Sequence, residues 1–129
     1  MAVTHSTAAR NAATDAVTAL IGASGRLRFR LSGTVAAPGT SVANLALSAT
    51  AFGASATGTA TASAITSDTN AAGNASAVAN ATLETSGGTV VIHCAVAASA
   101  SDVNMTNGLT VTAGDTVSCS SLTYTALSA

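Results

Sequence analysis

Residues 26–31 read Arg-Leu-Arg-Phe-Arg-Leu, the most constraining stretch in the chain. The alternation is strict, and a strand sends successive side chains to opposite faces. Leu27, Phe29 and Leu31 therefore share one face, and Arg26, Arg28 and Arg30 share the other. Neighbours on one face lie about 6.6–6.8 Å apart. The apolar set anchors a core. The cationic set holds three of the four basic side chains, and lysine is absent. In a chain so poor in charge, cations gathered on one strand face point towards an acidic partner. The plain alternative is a solvated strand face, where charge also protects an edge from aggregation.

Charged residues make up 7% of the 129 residues and the net charge is −1, against roughly 25% charged residues in ordinary globular proteins. The length predicts one domain with a single core. The lack of a basic excess argues against a general nucleic-acid binder. Ala, Thr, Ser and Gly dominate, and Phe29, Phe52 and Tyr124 are the only aromatics. Burial per residue is therefore low, and assembly with other subunits is one way to add stability. No run of about 18 apolar residues occurs, so no membrane span is expected. The first residues lack the basic and apolar regions of a secretory signal. Cys94 and Cys119, the only cysteines, are expected to be reduced and buried.

Alanine-rich Thr4–Ile21 predicts a helix. Ala9, Ala13, Ala16, Val17, Leu20 and Ile21 recur at three- and four-residue spacing and form its expected buried stripe. Arg10, Asn11, Thr14, Asp15 and Thr18 take the other positions. Gly22 and Gly25 fit a helix stop. A loop with Gly33, Pro38 and Gly39 follows the arginine strand. Further strands are expected at Val42–Ala51, Ala56–Ile65, Ala75–Glu84 and Thr89–Ala97, with brief pairing at Val103 and Met105. Leu109–Thr112 and Thr116–Thr125 form an expected last hairpin about Ala113-Gly114-Asp115. Its second arm places Val117 and Cys119 on one face and Leu122 and Tyr124 on the other, which suggests a bulge near Ser120–Ser121. Short strands with turn signals between them predict a mainly β fold. The form expected is an antiparallel β-sandwich or barrel with one N-terminal α-helix. Residues 1–25 form the helical arm and 26–129 the β-sandwich domain.

No set of residues predicts catalysis or a cofactor. His93 and Cys94 are adjacent and so face opposite ways on a strand. A zinc site needs about four ligands, and His5 lies near the terminus. Asp15, Asp68, Glu84, Asp102 and Asp115 are scattered, mostly at turns, where aspartate bonds local backbone. Gly22-Ala23-Ser24-Gly25 lacks the Lys-Ser/Thr of a phosphate-binding loop. Three matches to the N-glycosylation pattern, at Asn74, Asn80 and Asn104, carry little weight in so Ser/Thr-rich a chain. Thr57, Thr59 and Thr61 suggest a hydroxyl ladder, which any exposed strand would also tolerate. The chain is expected to be no enzyme and to need no metal or cofactor.

The opening Thr4-His5-Ser6-Thr7-Ala8-Ala9-Arg10-Asn11-Ala12 and the middle Gly58-Thr59-Ala60-Thr61-Ala62-Ser63-Ala64-Ile65-Thr66-Ser67-Asp68 belong to one pattern with two later pieces. These are Val111-Thr112-Ala113-Gly114-Asp115-Thr116-Val117 and Ser121-Leu122-Thr123-Tyr124-Thr125. In this order they resemble the small capsid decoration, or cement, proteins of tailed bacteriophages. The resemblance implies a β-rich, often jelly-roll-like domain that oligomerises, as a dimer or trimer, on the outer surface of the head. It implies assembly in the bacterial host cytoplasm, the major capsid protein as partner, and stabilised contacts between capsomers. No nucleic acid, membrane or catalytic residue is implied. Arg26, Arg28 and Arg30 are candidates for pairing with carboxylates of the shell or a sister subunit. Arg10 and the helix stripe Ala9, Ala13, Val17 and Leu20 are candidates for burial on the same partners. The alternative is a receptor- or carbohydrate-binding β-sandwich module of a head or tail fibre, for which three aromatics offer a poor stacking platform.

Overall fold

The computed structural model describes residues 3–127. The fold is mainly β with one short N-terminal helix. Helix α1 spans Thr7–Ala19, shorter than the expected Thr4–Ile21. Ser6 caps it by accepting a 3.2 Å bond from the Ala9 N–H. Gly22 then adopts φ +69°, the left-handed step that ends helices.

The main sheet has the order β2-β1-β4-β5-β6. Strand β1 is Arg26–Arg30, β2 is Ser41–Ala46, β4 is Asn80–Glu84, β5 is Val90–Ala97 and β6 is Val103–Asn104. The arginine strand is therefore inside the sheet, with antiparallel neighbours on both sides, and is not an edge. Pairing of β6 to β5 is parallel, so the sheet is mixed and not antiparallel throughout. A separate two-stranded sheet pairs β3, Thr59–Thr61, with β7, Thr123–Thr125.

Register converts the alternation of β1 into two faces. Leu27 stands beside Leu45 and Leu83, and Leu83 beside Ile92; Phe29 stands beside Ala43 and Ala81, and Ala81 beside Cys94. These two apolar rows form the centre of the core, together with Phe52, Ala60, Val78 and Val111. Val117, Cys119, Leu122 and Tyr124 pack on the same core from the C-terminal run. A bend at Ser120, in a stretch outside any strand, takes the place of the expected bulge, and the two pairs do not part to opposite faces but meet the same core.

The strand boundaries depart from expectation where the chain carries few large apolar side chains. Ala56–Ile65 and Ala75–Glu84 shrink to the three and five residues of β3 and β4. The expected last hairpin does not form. Its turn is present, with the Thr112 N–H bonded to Asp115 Oδ2. Beyond it the chain leaves Leu109–Thr112 and pairs instead with residues 59–68, from Asp68–Val117 to Thr59–Thr125. Thr57 lies in a turn at φ +49°, off the hydroxyl ladder. Thr59 and Thr61 face Thr125 and Thr123, and the Thr59 and Thr125 hydroxyls meet at 2.6 Å.

Candidate docking surfaces

The outward face of β1 carries the arginines. Glu84 is fully buried there and Arg30 is 6% exposed. Glu84 Oε2 accepts from Arg30 Nη2 at 2.6 Å and from the Thr82 hydroxyl. Thr82 Oγ1 in turn accepts from Arg30 Nε at 3.0 Å, and Gly39 O accepts from Arg30 Nη1. All three donor nitrogens of Arg30 are thus engaged inside the protein. Arg28 is half-buried, with Nε 3.8 Å from Glu84 Oε1. That oxygen has no hydrogen-bond partner among the described residues. Arg26 is half-buried. Asn44 and His93, both exposed, flank the Arg28 row.

Helix α1 provides a second surface, built the opposite way from expectation. Its buried residues are Thr14 and Thr18, not the alanine stripe. The polar side docks on the loop preceding β3. Asn11 Oδ1 accepts from the Gly58 N–H at 2.7 Å, and Asp15 Oδ1 accepts from the Ser55 N–H at 2.9 Å. The Thr14 hydroxyl donates to Gly58 O at 2.6 Å and accepts from the Ala126 N–H at 3.1 Å. Arg10 Nη1 donates to Thr57 O at 3.3 Å, so Arg10 also faces inward. These bonds satisfy backbone groups that two short strands leave without ladder partners.

The consequence is an apolar outer face. Ala9, Ala12, Ala16, Ala19 and Leu20 are exposed, Leu20 at 65%, while Ala13 and Val17 are half-buried. Only Ile21 of the expected stripe reaches the core. Val3, just before the helix, is 74% exposed. Sequence reading missed the docking role of Asn11, Thr14 and Asp15, and the burial of Thr18, whose hydroxyl donates back to its own helix at Thr14 O. Their three- and four-residue spacing is as regular as that of the alanines, and that periodicity was the available signal.

The core face has a cleft of about 490 Å³ between residues 102–111 and 115–122, with Leu27 and Phe29 at its floor. Asp102, Asp115 and Cys119 line it. Asp102 accepts from the Ala95 N–H, and Asp115 from the Thr112 N–H. His93 shares its row with Thr82 and Arg28, on the other face of the sheet. Both cysteines are free. Burial and the nearby Asp102 carboxylate push the Cys94 thiol up to about 11, and burial also raises Cys119. Among the described residues, no three His, Cys, Asp or Glu side chains cluster to hold a metal ion. No helix there is long and apolar enough to cross a membrane.

Comparison with protein-family models, with characterised proteins and with solved structures gave no match for this chain.

Proposed function

We propose that this chain is a structural virion protein that binds the outside of a phage head and stabilises contacts between capsomers. The observation that carries the reading is the orientation of α1. A helix that hydrogen-bonds inward through Asn11, Thr14 and Asp15 and shows Ala9, Ala16 and Leu20 to solvent is arranged for burial against something else. The small side chains allow close approach to a flat surface. Many identical weak contacts on an icosahedral lattice gain strength through avidity. The ordered resemblance to cement proteins of tailed phages selects this assembly, and with it the major capsid protein and a homo-oligomer on the capsid exterior. A sandwich or jelly-roll arrangement, with β3 and β7 belonging to the second layer, goes with this reading.

The receptor- or carbohydrate-binding alternative is weaker because Phe29 and Phe52 are buried and Tyr124 is half-buried. No ring is left for a broad stacking platform.

The test is co-sedimentation with undecorated heads, with the mass of the free protein measured alongside. Saturable binding at a fixed ratio to the major capsid protein is expected. Leu20→Asp together with Ala16→Glu should abolish it while the thermal transition stays unchanged. Heads that take up no protein, or take up this variant normally, would overturn the reading.

A further inference from the structure

We propose that Arg26 and Arg28 form a docking site for paired carboxylates of an acidic protein segment. The inference rests on the interaction reading above and gives the partner's chemistry at the sheet face, apart from the helix.

The charge balance on that face is the starting point. Arg26, Arg28 and Arg30 stand over one carboxylate, Glu84, and His93 lies in the Arg28 row. Glu84 is committed to Arg30 and Thr82 through Oε2. Arg28 reaches the other oxygen only at 3.8 Å. Arg26 is set opposite Glu84 by register, yet no carboxylate among the described residues lies within ion-pair distance of it. Arg28 Nε is buried without a hydrogen-bond partner among the described residues, so two guanidinium groups with unfilled donors share one strand face, about 6.6–6.8 Å apart.

The setting favours recognition over simple solvation. Their register partners on β4, Glu84 beside Arg26 and Thr82 beside Arg28, are fully buried. Charge pairs there are screened less than on an open surface. β1 is a central strand paired on both sides, so the two arginines are fixed in spacing by the sheet. The planar guanidinium fork matches a carboxylate through two parallel bonds.

The extent of the patch identifies the partner. It offers two cations and is bordered by Asp68, whose Oδ2 accepts from the N–H of Asn44, the register partner of Arg28. A long polyanion such as nucleic acid needs a continuous run of cations and would meet Asp68. A short segment with two acidic side chains fits between these limits. On an extended strand, residues i and i+2 present carboxylates at the same repeat as Arg26 and Arg28.

The experiment is a calorimetric titration of the full chain with an end-blocked octaglutamate peptide at low salt. Octaglutamine and an eight-nucleotide single-stranded DNA serve as comparisons. Octaglutamate should bind, octaglutamine should not, and the DNA should bind more weakly. Arg26→Gln and Arg28→Gln should each weaken the peptide roughly tenfold, with thermal transitions within a few degrees of the parent. The proposal fails if octaglutamate does not bind, if both variants bind it as the parent does, or if the DNA binds at least as tightly. Head binding that survives both arginine substitutions but is lost in the Leu20→Asp, Ala16→Glu variant would remove this site and leave the structural reading standing.

Discussion

Glu84 is registered opposite Arg26, yet its carboxylate bonds Arg30 at 2.6 Å, four residues further along β1. Thr82 makes this possible, since its hydroxyl accepts from Arg30 Nε and donates to Glu84. The pair is buried, so its two halves are unequal to lose. Removing one partner leaves the other charged or polar group without compensation, and such losses cost about 3–5 kcal/mol. Arg30→Met and Glu84→Gln should each lower the unfolding free energy by about that amount in urea titrations. Replacing both together, Arg30→Met with Glu84→Leu, should cost clearly less than the sum. An additive double variant would show that the two side chains do not act as a pair.

Thr14 ties α1 to two distant parts of the chain. Its hydroxyl serves Gly58 O and the Ala126 N–H, and the residue is fully buried. Thr14→Val keeps the shape and leaves both backbone groups without a partner, at a cost of about 1–3 kcal/mol. Thr7→Val, on an exposed position of the same helix, should change stability by less than about 0.5 kcal/mol. Hydrogen exchange should quicken at Ala126 in the Thr14 variant and stay unchanged in the other.

Two glycines share a conformation and differ in their surroundings. Gly22 has φ +69° and open space within 4 Å of where a Cβ would stand, whereas Gly73 has φ +68° and a Cβ there would fall on the backbone of Thr112 and Ala113. Gly22→Ala should cost only the left-handed penalty, about 1–2 kcal/mol. Gly73→Ala adds a steric clash with backbone that cannot move aside, and its thermal midpoint should fall further. Equal losses would show that the 73–113 approach is loose.

The raised Cys94 thiol gives an alkaline signature. Its folded value is about 11 against an ordinary value of 9.0. Between these values the unfolded chain releases a proton that the folded chain keeps, so stability falls as pH rises. The Cys94 contribution is intact below pH 9 and is lost progressively towards pH 11. Thermal midpoints measured from pH 8 to 10.5 should decline, and Cys94→Ala should flatten part of that decline. An identical slope in the variant would assign the alkaline loss to other groups.

The strand at Arg26–Arg30 was legible because its alternation has one physical solution. β5 was legible as well, with His93 outward and Cys94 inward as their adjacency requires. The helix position was readable from alanine content and the glycines that follow it, but not its orientation. Hydrophobic periodicity assumes that the apolar stripe turns inward, and α1 reverses this. Ala side chains bury little area, so their gain is small. Six hydrogen bonds from Arg10, Asn11, Thr14, Asp15 and Ser55 outweigh it.

The sequence alone determined the alternating strand, the mainly β character and the segregation of cations on one strand face, because each follows from local geometry and residue type. Only the tertiary structure decided which arginine faces inward, which strand receives residues 116–125, and which side of α1 meets solvent. Those outcomes depend on partners far apart in the chain. Arg30 and Glu84 are 54 residues apart, and Thr14 and Ala126 are 112 apart. Where burial energies are as small as these alanines provide, a few long-range hydrogen bonds decide the arrangement.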